Sequence, residues 1–237
     1  MNMLDILIVI ALIWAAVGGW QRGVIYKLVS LIGFVLSIII AFSLKNVVTG
    51  FLYGFCPFFK FSGVFKDVTV MNILLYEVVA FILVLAILLA VVKVLQLFSG
   101  FLQRILNATF IFGLPSKLLG IPLGFLEGYV VVFMVLYFTT LPFFNMNVIN
   151  GSKYRKEILN STPVLSDMIG DVVGVGEEIN AMTKKYQYNY DANAFNLEAL
   201  DLFLEKKIVT VESVDKLVEK NKLQINNIDS VLNKYRK

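Results

Sequence analysis

The sequence predicts an all-α protein: a four-helix transmembrane bundle followed by a helical C-terminal extramembrane tail. Three observations carry that prediction. Of 237 residues, 58% are hydrophobic and the mean hydropathy is +0.79, whereas a soluble domain is about 45–50% apolar. Four apolar segments lie within residues 1–144, each of about the 20 residues that a helix needs to cross ~30 Å of hydrocarbon. Charge is also unevenly divided: residues 1–144 hold 8 Lys/Arg and 4 Asp/Glu, and residues 145–237 hold 13 of each. The chain therefore reads as a membrane domain, 1–144, and a polar tail, 145–237.

The predicted spans are about 4–20, 24–44, 73–92 and 118–141. A single helix over 4–44 would be about 60 Å long at 1.5 Å per residue, twice the hydrocarbon core, so the chain must turn at "GGWQRG". Gly19 and Gly23 permit the turn. Arg22 holds it in the headgroup layer, and Trp20 and Tyr26 sit at the interface as amphipathic rings do. The first two spans are expected to form a tight antiparallel hairpin.

Small residues recur every four positions, the spacing that lets helices approach closely in lipid. Span one carries Ala11, Ala15, Gly19 and Gly23. Span two carries Gly33, Ser37 and Ala41, and span four Gly120, Gly124 and Gly128. Pro122 is expected to kink or begin span four.

Residues 45–72 crowd Phe51, Tyr53, Phe55, Phe58, Phe59, Phe61 and Phe65 into one stretch, read as an aromatic loop in the interface or as a re-entrant segment. Residues 101–111 suggest an interfacial helix feeding span four. In the tail, Ser161 or Thr162 is a cap candidate with Pro163 at the first helical position. Leu165, Met168, Val172, Ile179 and Met182 form an apolar stripe, and a linker follows in "YQYNYDANAFN". Residues 201–237 repeat with a period of 14, aligning Asp201, Asp215 and Asp229, and Lys206, Lys220 and Lys234. Short helices are expected near 196–206, 210–220 and 226–235, with Thr210 and Asn226 as cap candidates. The expected product is a small helical knob that docks a partner or the bundle's own surface.

Chemistry is sparse. The chain has no histidine and a single cysteine, Cys56, which excludes histidine-based nucleophile pairs and histidine metal sites. Ser116-Lys117 and Ser152-Lys153 are adjacent in sequence, which does not make a dyad, and "GVGEE" at 174–178 lacks the lysine and spacing of a phosphate loop. No catalytic set, cofactor or metal is expected. The neutral tail with no basic stripe argues against nucleic acid. Asp5, Lys27, Glu77 and Lys93 lie close enough to span ends to snorkel. Glu127 is deepest, with Gly124 and Gly128 leaving room beside it. It either pairs with a base from another helix or faces water, and with Glu77 it is the candidate for an intramembrane charge role.

These residues resemble the colicin V production (CvpA) membrane protein family. The resemblance rests on Asp5, on the turn Gly19-Trp20-Gln21-Arg22-Gly23, on "LVSLIG" ending at Gly33, and on Lys117 followed by Gly120, Gly124 and Gly128. It covers roughly residues 1–144. Two positions depart from the pattern: Gln21 stands where a second base is common, and Glu127 where relatives often carry a base. The resemblance implies a four-span protein of a bacterial inner or plasma membrane, linked to colicin V production or export and to envelope homeostasis. Five bases on one side against six on the other give no usable orientation under the positive-inside rule. The resemblance implies the tight turn inside and the tail outside the cytoplasm. The expected function is a non-enzymatic scaffold, anchored in the lipid bilayer and docking unknown envelope or secretion proteins through its tail. The alternative is a small oligomeric transporter or channel, and self-association is compatible with both.

Overall fold

The computed structural model describes residues 2–108, 110–141, 151–162 and 165–236. Among these, all regular structure is helical. Helix α1 spans Met3–Arg22, α2 Val24–Phe55, α3 Met71–Ala108 and α4 Phe110–Phe138. A single 3₁₀ turn, Gly63–Phe65, lies between α2 and α3. Beyond them come α5 Lys153–Ser161, α6 Leu165–Lys185, α7 Ala192–Glu205, α8 Val211–Glu219 and α9 Asp229–Leu232. Four segments are long and apolar enough to cross a membrane: Met3–Arg22, Val24–Phe55, Met71–Phe101 and Leu114–Phe138.

Only one residue separates α1 from α2. Gly23 has φ 79°, a left-handed backbone that costs glycine little and any other residue much more. Its N–H bonds to the carbonyl of Gly19 at 3.0 Å. Ser116 of α4 accepts the N–H of Val24 at 3.2 Å, satisfying one of the orphan amides at the start of α2.

Several elements differ from the sequence expectation. Helix α2 does not stop at residue 44 but runs to Phe55, so Phe51, Tyr53 and Phe55 are helical rather than part of a loop. Gly50 and Gly54 are tolerated inside it, and the chain leaves the helix just ahead of Pro57, where the α conformation of the preceding residue becomes unfavourable. Residues 101–108 continue α3 and do not form a separate interfacial helix. Pro122, like Pro115, lies inside α4, which begins well before it. Of the cap candidates expected there, Ser161 is the last residue of α5 and Thr162 its C-cap, donating its hydroxyl to the Ile158 carbonyl; Pro163 lies outside the described residues.

The chain forms two compact units, to both of which α2 and α3 contribute. The first comprises residues 1–43 and 83–166. Here α1 runs antiparallel to α4 along a ladder of small residues. A Cβ added to Gly19 would fall on the Gly120 carbonyl, and one added to Gly120 on the Gly19 carbonyl. One added to Gly124 would strike the Ala15 carbonyl, and one on Gly128 the Ala15 side chain. Gly33 of α2 faces Val92 of α3, whose Cγ1 would lie 2.7 Å from an added Cβ. Ser37 is buried and its hydroxyl returns to the Gly33 carbonyl at 2.7 Å. Ala11 is exposed, so the ladder on α1 engages only from Ala15 onward.

The second unit comprises residues 44–82 and 167–237. Its core buries Val68, Val70, Ile73 and Leu74 from the stretch around the start of α3, and Phe195, Leu200, Phe203 and Leu217 from the tail. The side-chain amide of Asn196 accepts from the Val70 N–H at 3.0 Å and donates to the Asp67 carbonyl at 3.1 Å. The 14-residue period has a structural meaning here. Helix α7 is followed by its C-cap Lys206, then Lys207 at φ 53°, and the N–H groups of Ile208 and Val209 both turn back to the Phe203 carbonyl. Helix α8 is followed by its C-cap Lys220, then Asn221 at φ 55°, and Lys222 and Leu223 turn back to Leu217 in the same way. The repeat is therefore a helix with a left-handed stop. Its three aspartates are paired by the last copy: Asp201 by Lys234, and Asp215 and Asp229 by Arg236. Thr210 caps α8 by accepting from the Ser213 N–H. Asn226 is not a cap; the N-cap of α9 is Ile228, and the backbone of Asn226 is held instead by the side chain of Asn193. An amide on α7 offers both a donor and an acceptor at that point, so the local cap is not needed.

Candidate functional site: a polar chain among the spans

The spans would be wholly apolar but for a few side chains, and in the first unit these meet. Tyr26 and Ser30 lie four residues apart on α2 and share one helical face, and Arg22, the last residue of α1, reaches Tyr26 across the turn. The Arg22 guanidinium donates to the Tyr26 hydroxyl at 2.6 Å and lies 4.8 Å from the ring centroid. The Tyr26 hydroxyl donates to Gln96 Oε1 of α3 at 2.9 Å. Gln96 Nε2 donates to Ser30 Oγ at 2.8 Å. The Ser30 hydroxyl in turn donates to Glu127 Oε1 of α4, and Lys27 Nζ forms an ion pair with Glu127 Oε2. Every donor in this chain points toward the Glu127 carboxylate, so each bond polarises the next in the same sense. All four long helices are tied together, α1 through Arg22 at its last position.

Lys27 does not snorkel. Its side chain is about nine-tenths buried and turned inward to Glu127. Glu77 does not reach a span end either: in the second unit it is buried and paired with Lys45 of α2. The two deep carboxylates therefore each hold a lysine from α2. For a charge in a low-dielectric setting this matters, because breaking such a pair typically costs about 3–5 kcal/mol.

Asp5 forms a second polar centre in the first unit. It is buried, and its carboxylate accepts from the Asn2 N–H at 2.9 Å, from the Ser152 hydroxyl at 2.5 Å and from the Tyr154 N–H at 3.3 Å. Ser152 is also the N-cap of α5, accepting from the Arg155 N–H at 3.1 Å. Asp5 thus fastens the start of α1 to the start of α5, rather than reaching out to the interface. Ser116 and Ser152, which stand beside lysines in sequence, both act as hydrogen-bond caps.

Gly19, Gly23, Gly120, Gly124 and Gly128 lie at the α1–α4 approach, and Gly33 at the α2–α3 approach. The sequence did not single out Gln96, and it drew attention to Ser152 only as a neighbour of Lys153, not as a partner of Asp5. Gln96 carried a signal, a neutral amide inside "VKVLQLF", because a buried amide in lipid needs partners for both its ends. Ser152 carried none, since its partner Asp5 is 147 residues away.

Four apolar helices and buried, mutually paired charges define a multi-pass α-helical membrane protein. Residues 4–163 match the family model described as colicin V production protein, and the chain belongs to that family. It is also 30% identical over 175 residues, 72% of this chain and 97% of its counterpart, to the Bacillus subtilis (strain 168) protein named "uncharacterized transmembrane protein YshB". No solved structure matches.

Proposed function

We propose that this protein is a non-enzymatic scaffold of a bacterial inner or plasma membrane, serving toxin production or export and envelope homeostasis. Its tail faces outside the cytoplasm and carries the contacts to envelope or secretion proteins. One observation supports this reading above others: both carboxylate oxygens of Glu127 are occupied by side chains of α2. The deepest charge is spent on holding helices together, as a rigid anchor requires.

Crosslinking from surface positions of the tail in intact cells, combined with reporter fusion at the C-terminus, tests it. Specific envelope or secretion partners and an outward reporter are the expected results. An inward reporter overturns the orientation, and a tail that crosslinks to no protein overturns the scaffold.

The second reading is a small oligomeric transporter or channel subunit. It is favoured by the continuous line of polar side chains from Arg22 to Glu127 through an otherwise apolar interior. It expects proton flux into liposomes containing the purified chain, abolished by Glu127→Gln. The scaffold expects none.

A further inference from the structure

Lys27 and Lys45 each hold a carboxylate, but among the described residues none lies within ion-pair distance of Lys117. The level of Lys117 is fixed inside the first unit. Its neighbour Ser116 accepts the Val24 N–H just past the turn, and Gly120, three residues on, meets Gly19 near the end of α1. Helix α1 has 20 residues, Met3–Arg22, or about 30 Å, which is the thickness of the hydrocarbon with no turn to spare. The last turn of α1 therefore lies at one edge of the hydrocarbon, and Lys117 lies there with it. Between α1 and α4, both of them long and apolar enough to span, runs a groove of about 370 Å³ walled by Ile13, Val17, Trp20, Ile121 and Phe125. Val17 and Phe125 on its two sides are 47% and 43% exposed. Side chains four residues apart stand in a row on a helix. On α1 the row of Ile13 and Val17 continues to Gln21, and on α4 the row of Phe125 and Ile121 continues back to Lys117. Because the helices are antiparallel, both rows turn polar at the same end. Trp20 stands at that end too, an amphipathic ring of the kind that collects at the interface.

A groove that is oily along its length and ends in an ammonium and an amide at the hydrocarbon edge matches a phospholipid of net negative charge. We propose that one anionic phospholipid occupies it, with an acyl chain along Ile13, Val17, Ile121 and Phe125 and the headgroup phosphate at Lys117 and Gln21. A lysine at this depth adds attraction to an anionic headgroup, and a zwitterionic lipid gains less because its own cation offsets the phosphate. A second copy of the chain meeting this one through the same two helices would not serve Lys117. The acids of α1 and α4 are Asp5 and Glu127, and both are already taken, by Ser152 and by Lys27. The site gives a role to the base that opens the glycine ladder of α4. It does not depend on the scaffold or transport reading.

The test is native mass spectrometry of the full chain in detergent, titrated with dioleoyl phosphatidylglycerol or dioleoyl phosphatidylcholine. One phosphatidylglycerol should bind about fivefold tighter than phosphatidylcholine, the factor expected of a single lysine. Lys117→Gln should remove that preference, whereas Lys93→Gln, an equal loss of charge from the exposed surface of α3, should leave it. Val17→Phe, which fills the groove, should weaken both lipids alike and keep their ratio. Photolysis of bound phosphatidylglycerol carrying a diazirine in its acyl chain should label α1 and α4. Equal affinity of the wild-type chain for the two lipids overturns the proposal without reference to any variant. So does an equal loss of preference in the two lysine variants, which would mark a diffuse charge effect, or labelling confined to α2 and α3. Lipid-free dimers at saturating phosphatidylglycerol would also overturn it, giving the groove to a second copy.

Discussion

Gly19 and Gly120 meet backbone to backbone, so that a Cβ on either would lie on the other's carbonyl group. The contact tolerates no side chain, because the atoms that would have to yield are main chain rather than the end of a flexible group. Gly120→Ala should therefore destabilise the α1–α4 pair by ~1–3 kcal/mol, the usual range for overpacking. Gly18→Ala is the control, since nothing lies within 4 Å of its added Cβ. Unfolding in mixed detergent, followed by circular dichroism, separates them. Equal stability of the two variants would refute the close approach.

The Lys27–Glu127 pair makes a double-mutant cycle informative. Lys27→Met alone leaves the carboxylate with only Ser30, and Glu127→Gln alone leaves the ammonium buried. Each should cost ~3–5 kcal/mol, and the double variant should recover much of that loss. Additive losses would mean that the two groups do not interact.

Lys222 closes the far end of α2. Its ammonium donates to the carbonyls of Tyr53 and Cys56, the latter at 2.8 Å, and lies 5.8 Å from the Phe58 ring centroid. Such carbonyls are left unpaired by the end of a helix, and a cation there also complements the dipole. Lys222→Met should destabilise this end by ~1.5–3 kcal/mol, the range for hydrogen bonds to a charged group. Faster maleimide labelling of Cys56, the single cysteine of the chain, reports it. Lys222→Arg should retain most of the protection.

The tail should show a defined pH response through Glu198. Burial pushes its carboxyl up, but hydrogen bonds from Lys185 and Tyr186 outweigh that and hold it below the usual value of 4.5. Lys185 is held above its usual 10.5, chiefly by the hydrogen bond to Glu198. A depressed carboxyl stabilises the fold above its unfolded value and loses that contribution as pH falls through the folded value. A raised ammonium stabilises below its unfolded value and loses it as pH rises through the folded one. The pair therefore supports the tail on a plateau from about 4.5 to about 10.5, with losses below and above it. Glu198→Gln should flatten the acid limb of stability against pH, measured by the near-ultraviolet signal of the tyrosines. An unchanged acid limb would show that the pair contributes nothing.

The apolar lengths, the break at Gly23 and the four-residue spacing of small side chains were all legible, because each is written locally in composition and period. The end of α2 was misjudged because Lys45 reads as a boundary, although its charge is taken up by Glu77 on another helix. Glu127 was legible as a deep charge, but its partner was open until the fold brought Lys27 to it. The 14-residue period was visible as letters, and only the backbone shows that it encodes a left-handed helix stop.

By itself the sequence determined what must be removed from water: four oily segments long enough to span a bilayer, a glycine-punctuated turn and a polar tail. Tertiary structure alone decided which polar groups inside that oil satisfy one another. Hydrophobicity is non-directional and adds up along the chain, so it can be read from one dimension. A hydrogen bond or ion pair needs two atoms about 3 Å apart, and Asp5 with Ser152 or Lys27 with Glu127 come that close only after the helices have packed.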